Sequence, residues 1–293
     1  MNTNPVGLGK VASAIASCIP ELTVNSTIGI VVAKPPYVEL LGTGTLLAIA
    51  DHRFVVTAAH VIKEASKRTI GIMSGSKGNF IALTGHYFLS SAESHEHSHD
   101  PYDVAIYELS ERECSHLSAV EFVRIGDVAF NTDISSGFFL ITGFPRVCST
   151  TIDEAQETMR ATLLQYGTCA LESTVCGLQN YDPQFHILLR ATPEFLFDHT
   201  GKETRFRMRT GFPAQMPGDL RGVSGCSVWK IGDYMKPVDS WAKAECRLVG
   251  IETSIYSEPG AIKVTRWNAV ATLLYEAVPA IRPVIKMYEN QLA

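Results

Sequence analysis

The stretch Phe54-Val55-Val56-Thr57-Ala58-Ala59-His60-Val61 is an apolar strand pattern that ends by delivering a histidine at its mouth. Runs of the same kind surround it. Thr27–Ala33, Thr45–Ile49, Thr69–Met73, Phe80–Leu83, Val104–Leu109 and Phe138–Thr142 are rich in Val, Ile, Thr and Phe. So are Gly167–Val175, His186–Ala191, Ser227–Ile231, Arg247–Ile255 and Ala261–Trp267. Gly, Pro, Asn, Asp or Ser bounds each of them. Many short strands without long helices between them predict an all-β barrel or sandwich rather than a doubly wound α/β sheet.

Two helices are expected. One spans about Gly9 to Ser17. The other begins near Asn268, a good N-cap, and buries Val270, Leu273, Leu274, Ala277 and Val278 on one stripe. Pro279 and Pro283 interrupt anything longer. Gly126 to Gly137 reads as a connector between two β-domains, and Cys148–Arg160 as a polar loop with a helical turn. The resulting division is an N-terminal extension (1–24), a first barrel (25–125), a second barrel (126–267) and a C-terminal helix with its tail (268–293).

Composition narrows the function. The 293 residues carry 25 Lys and Arg against 30 Asp and Glu, a net charge of −5, so nucleic acid is not an expected partner. No apolar run reaches the roughly 18 residues that a membrane span needs. Seven scattered cysteines without a CxxC pair read as reduced, buried thiols, which places the protein in the cytoplasm.

Two further stretches join His60. Asp103 opens the apolar run Val104-Ala105-Ile106. Ser224 lies in Gly222-Val223-Ser224-Gly225-Cys226, just ahead of another apolar run. A serine hydroxyl is a poor nucleophile until an adjacent base takes its proton, and histidine is the base available near pH 7. A carboxylate on the far ring nitrogen holds the tautomer and stabilises the imidazolium. Glycines beside the serine allow a tight turn whose N–H groups converge where an oxyanion would form. Asp100 competes for the carboxylate role, but the apolar run directly after Asp103 favours Asp103. The serine motif is not the GxSxG elbow of α/β-hydrolases, because Cys226 replaces the last glycine and the order His, Asp, Ser is wrong for that class.

Together these stretches resemble the chymotrypsin-fold (trypsin-like) serine peptidases, most closely the disulfide-free bacterial branch that includes the HtrA-like enzymes. Gly42-Thr43-Gly44, Thr57-Ala58-Ala59-His60, Asp103-Val104-Ala105-Ile106, Leu140-Ile141-Thr142-Gly143-Phe144-Pro145 and Leu248-Val249-Gly250-Ile251-Glu252-Thr253 match motifs of that family. Val223 and Cys226-Ser227 depart from its usual Asp-Ser-Gly-Gly-Pro.

The resemblance implies two six-stranded antiparallel β-barrels with a short N-terminal and a C-terminal helix. It implies His60 as general base, Asp103 as its orienting carboxylate, Ser224 as nucleophile, and the N–H groups of Gly222 and Ser224 as the oxyanion hole. The expected activity is endopeptidase cleavage of a protein or peptide substrate, with no metal or organic cofactor. A narrow substrate range or an activating partner protein is expected to restrain it. An inactive protease-fold binding module and an ester or acyl hydrolase on the same fold are the rival readings.

The substrate pocket is expected from Gly218, Asp219, Gly250, Ile251 and Glu252. An acidic floor from Asp219 or Glu252 would select Lys or Arg, whereas Gly218 leaves an apolar or small pocket equally open. His95, His97 and His99 are read as a solvated loop rather than a zinc site, and Arg205, Arg207 and Arg209 as the basic face of a hairpin.

Overall fold

The computed structural model describes residues 14–34, 37–65, 68–74, 77–78, 80–91, 100–117, 119–130, 133–146, 149–153, 158–171, 177–191, 195–197 and 221–291. The histidines at 95, 97 and 99 and the arginines at 205, 207 and 209 lie outside them, as do Gly218 and Asp219.

Among the described residues, nine strands occupy the first half: β1 (Thr27–Lys34), β2 (Tyr37–Ile49), β3 (His52–Ala58), β4 (Ile70–Ser74), β5 (Lys77–Gly78), β6 (Ile81–Ala82), β7 (Tyr87–Leu89), β8 (Val104–Glu108) and β9 (Val123–Arg124). The second half supplies β10 (Gly137–Gly143), β11 (Ser149–Asp153), β12 (Thr158–Ala161), β13 (Leu164–Cys169), β14 (His186–Arg190), β15 (Phe195–Phe197), β16 (Ser227–Asp233), β17 (Arg247–Tyr256) and β18 (Ala261–Arg266). Named α-helices among the described residues are α1 (Leu22–Asn25), α2 (Ala59–Glu64), α3 (Glu111–His116), α4 (Trp267–Ala277) and α5 (Arg282–Gln291). Residues 14–18 are also helical and overlap the end of the helix expected from Gly9 to Ser17, whose first residues lie outside the described ones.

The strands form two large curled sheets. The first runs β6-β4-β1-β2-β3-β8-β7, with β9 added beside β2. The second runs β14-β18-β17-β16-β10-β13-β15. The all-β, two-barrel expectation therefore holds, but with eight and seven strands instead of six and six. One pairing, β2 with β9, is parallel.

Three apolar clusters explain this arrangement. Ile28, Ile30, Leu46, Val55 and Ala105 fill the interior of the first sheet, and Phe139, Ile141, Leu189, Val228 and Val264 that of the second. The largest cluster joins the halves: Leu47, Phe54 and Ile106 meet Leu140, Trp229 and Leu248, and α4, α5 and the 3-10 turn between them close it with Trp267, Val270, Leu274, Ile281 and Ile285. Strands such as Gly137–Gly143, buried at every residue, read as continuous apolar runs because both faces meet a core.

Three local expectations are corrected. The segment Cys148–Arg160 is not a helical loop: β11 and β12 form an antiparallel hairpin that extends to β5 in a small third sheet. Helix α4 starts one residue before Asn268. Arg266 precedes it, and Asn268 Oδ1 accepts only the N–H of its neighbour Ala269 at 2.8 Å. Trp267, at the first helical position, is fully buried, so core packing sets the start in place of a polar cap. Pro283 does not end the helical region. It sits in the first turn of α5, where the missing N–H removes no helical bond.

Candidate active site

His60 is the second residue of α2, which follows β3 directly. The residue before the helix, Ala58, offers no side chain to cap it. Asp103 fills that role from across the sheet. Its carbonyl accepts the N–H of Ala59 at 3.0 Å, and its Oδ1 accepts the N–H of His60 at 2.8 Å. Its Oδ2 binds His60 Nδ1 at 2.6 Å. One aspartate thus satisfies two orphan donors of a helix N-terminus and holds the ring of the histidine that the helix carries.

Asp103 is itself held in an uncommon shape. Its φ is +52°, in the left-handed region that a non-glycine residue enters at a cost. Asp100 supports it: the buried Asp100 carboxylate accepts the Asp103 N–H at 3.0 Å and the Ser90 hydroxyl at 2.7 Å. Ser90 Oγ in turn accepts the N–H of Val104 at 2.9 Å. The competing aspartate is therefore the brace of the loop, and Asp103 is the partner of His60.

The second half of the protein grips the same loop. His186 Nε2 donates to the carbonyl of Pro101 at 2.8 Å, while its Nδ1 accepts the N–H of Asp182 at 2.9 Å. Thr265 Oγ1 donates to the carbonyl of Tyr102 at 2.7 Å. Lys263 Nζ reaches the Pro101 carbonyl at 3.4 Å. Burial keeps His186 neutral, with its pKa pushed down to about 4.

Ser224 sits on a turn closed by the N–H of Cys226 donating to the carbonyl of Val223 at 2.9 Å. Val223 and Cys226 are buried in the core of the second sheet, which leaves Ser224 at the crest. Gly225 occupies the third turn position with φ +88°, a conformation suited to glycine. A Cβ there would also overlap the Thr57 hydroxyl and the Thr43 carbonyl, because the turn presses on the first sheet. The Thr43 N–H donates to the Ser224 carbonyl at 2.9 Å, and the Thr43 hydroxyl to the Gly222 carbonyl at 2.7 Å. Gly42, Thr43, Thr57 and Ala58 therefore hold the serine turn against the strands that lead to His60.

Gly222 has φ +95°, and a side chain there would press on the backbone of Phe144 and Arg146. Among the described residues, the N–H groups of Gly222 and Ser224 have no hydrogen-bond partner. Two donors on one turn are thus left unused beside the serine.

Glu252 was one candidate among several in the sequence; the structure sets it apart. Its carboxylate lies beside the Ser224 hydroxyl and within the field of His60 and Asp103. Ser224 is close enough to favour the ionised form, but without the geometry of a formed hydrogen bond. Burial is the dominant influence and pushes the carboxyl up to about 7. Of the other pocket candidates, Gly250 packs β17 onto β18 where a side chain would overlap Thr265, and Ile251 is buried in the central core. His60 feels opposing influences. Burial lowers its pKa, while the hydrogen bond to Asp103 and that carboxylate's charge raise it, and the raising effects prevail.

Cys226 is fully buried, and burial pushes its thiol well above the ordinary range, so it behaves as a small apolar side chain beside the serine. Cys18, Cys114, Cys169, Cys226 and Cys246 are free thiols. No helix among the described residues is long and apolar enough to cross a membrane.

No family model matches the chain, and no curated protein matches it. Solved structures do. A thermostable serine protease, AL20, from an extremophilic microorganism is 12% identical, covers 88% of this chain and 98% of its own, and superposes with a TM-score of 0.50. An inactivated protease paralogue of the scabies mite is 15% identical over 89% and 96% of the two chains, with a TM-score of 0.49. The Rv3671c protease of M. tuberculosis in its active form is 15% identical over 94% and 87%, with a TM-score of 0.40. At such identities the likeness is one of fold. The protein has the chymotrypsin-like two-barrel fold found among serine proteases.

Proposed function

We propose that the protein is a trypsin-like serine endopeptidase of the disulfide-free branch that includes the HtrA-like enzymes. The observation that carries this reading is the double hold of Asp103 on His60, through Nδ1 at 2.6 Å and the backbone N–H at 2.8 Å. The glycine-flanked serine turn packs on Thr57 and Ala58, in the strand that leads to that histidine. With Nδ1 committed to Asp103, Nε2 is the ring nitrogen that exchanges protons with substrate. His60 takes the proton of Ser224, whose oxygen attacks the peptide carbonyl. The N–H groups of Gly222 and Ser224 receive the oxyanion. His60 then returns the proton to the leaving amine, and an acyl-enzyme forms. Water, deprotonated by His60, releases the acid and restores the serine.

The free buried thiols suit a reducing compartment, so we place the enzyme in the cytoplasm, acting on a restricted set of protein substrates or under an activating partner.

A fluorophosphonate probe tests the reading. It is expected to label the wild-type protein at Ser224 and to leave Ser224→Ala unlabelled. Absence of labelling in the folded wild type overturns the assignment in favour of a binding module. Cleavage of esters but not of any peptide in a library identifies the acyl hydrolase instead.

A further inference from the structure

Lys263 is the only lysine or arginine among the described residues that is fully buried, at 3% exposure. It interrupts β18, whose other buried residues are Ala261, Ile262, Val264 and Thr265. Ile262 and Val264 belong to the core of the second sheet, so strand alternation turns Lys263 and Thr265 to the opposite face. There Thr265 bonds the carbonyl of Tyr102, while the Lys263 ammonium reaches the carbonyls of Pro101 at 3.4 Å and Asn180 at 3.3 Å. No carboxylate among the described residues forms an ion pair with it. A buried ammonium without a close counter-ion is costly, so the charges around it have to compensate.

Those charges belong to the candidate active site. Asp100, Glu113 and Glu252 are the fully buried carboxylates of the described residues, and two of them, Asp100 and Glu252, act on Lys263 together with Asp103. Burial lowers the lysine's pKa, and these three charges oppose that. His60 faces two of the same carboxylates. Burial works against its proton, while Asp103, Glu252 and Glu64 of its own helix favour it. Two further groups complete the surroundings. His186 of β14 is neutral and shares the Pro101 carbonyl with Lys263, and Lys63 of α2 approaches Asp100 at 3.8 Å. The imidazole from the first half and the ammonium from the second thus lie in the field of one set of carboxylates. Unopposed, that set would hold the imidazolium beyond the pH at which a general base has to be free.

We propose that Lys263 is a positioning residue for the His60–Asp103 pair: a buried cation that offsets the charge of Asp100, Asp103 and Glu252 and leaves His60 able to release its proton near neutral pH. The consequence for turnover rests on the peptidase reading, whereas the charge relation does not.

Ring titration of His60 by NMR in the full chain tests the relation without turnover. Lys263→Met keeps the stem and removes the charge, and it is expected to raise the His60 midpoint by about one pH unit. Lys263→Gln also removes the charge but keeps a donor for the Pro101 carbonyl, and it is expected to raise the midpoint equally. Lys263→Arg keeps the charge and is expected to leave the midpoint within about 0.3 units of the wild type. Peptide kinetics carry the same signature. On the acid limb, kcat/KM of Lys263→Met is expected to fall about tenfold, and on the alkaline plateau to stay within about threefold of the wild type. A residue that merely propped the loop would lower the plateau at every pH and leave the midpoint in place. Circular dichroism checks that each variant is folded.

An unchanged His60 midpoint in folded Lys263→Met or Lys263→Gln overturns the proposal, as does a uniform loss of kcat/KM across the pH range. The wild type supplies an arm that needs no variant: NMR of its lysine side chains is expected to show Lys263 as an ammonium up to about pH 8, and a neutral amine near pH 7 overturns the proposal. If the fluorophosphonate probe fails on the wild type, the peptidase reading falls and the His60 titration still decides the role of Lys263. If the probe labels Ser224 and the midpoint does not move, the role of Lys263 falls and the peptidase stands.

Discussion

Asp103 works through both carboxylate oxygens, and they can be separated by mutation. Asp103→Asn keeps an acceptor for the His60 N–H but turns an NH2 group toward Nδ1, which favours the wrong tautomer. The expected loss in kcat is on the order of 10³ to 10⁴-fold with little change in melting temperature, read from ester-substrate kinetics beside a thermal melt. Glu252 carries a second residue-scale prediction. Its folded pKa, about 7, lies above its ordinary value of 4.5. The folded state therefore holds the proton more tightly, so the group's contribution to stability is full below about pH 4.5 and is lost as pH rises through about 7. Glu252→Gln is expected to flatten the decline in stability between pH 5 and 8, by roughly 3 kcal/mol at the alkaline end. Chemical denaturation across that range measures it. The pairing of His60 with Asp103 was legible in the sequence because both adjoin apolar strands. The want of a partner for Glu252 was not, because it depends on where Lys263 and His60 send their own hydrogen bonds, and only the folded chain fixes that.

At the scale of elements, the turn at Val223–Cys226 and the strands β2 and β3 are fitted to each other through glycines. Gly225→Ala meets a positive φ and overlaps Thr57 and Thr43 together, so it is expected to cost more than about 2 kcal/mol and to abolish probe labelling at Ser224. Denaturant titration and the labelling assay report the two effects. Most strands were visible as Val-, Ile- and Thr-rich runs, from β1 to β18. Besides the short strands β5, β7, β9 and β15, which were not expected, two exceptions are instructive. The β11–β12 hairpin was hidden because its stretch is polar and its support comes from β5, remote in sequence. The first half of β2 was missed because Gly42 and Gly44 weaken the pattern, although those glycines are what let Val61 and Val55 pack against the strand. The start of α4 was misplaced because Asn268 looks like a cap, while the burial of Trp267 decides the boundary.

Across the whole molecule, the two sheets share a core, and the second sheet also holds the loop that carries the aspartate of the first. His186 supplies the pH dependence of that hold. Its folded pKa of about 4 lies below the ordinary 6.5, so the contribution is full above about pH 6.5 and is lost as pH falls toward 4. Acidification through that window is expected to speed amide exchange at Asp103 and Val104 before the strands of either sheet exchange. His186→Gln is expected to remove the pH dependence of this local opening, as hydrogen exchange followed by mass spectrometry would show. The mutual grip of the halves was not legible in the sequence: it runs through the main-chain carbonyls of Pro101 and Tyr102, which carry no residue-specific signal. The grip makes the histidine–aspartate pair a tenant of two landlords. Prising the halves apart by a few ångströms, with both sheets intact, would free the aspartate's loop, so under the proposed peptidase reading turnover is expected to gauge interdomain docking and to fail before any strand melts.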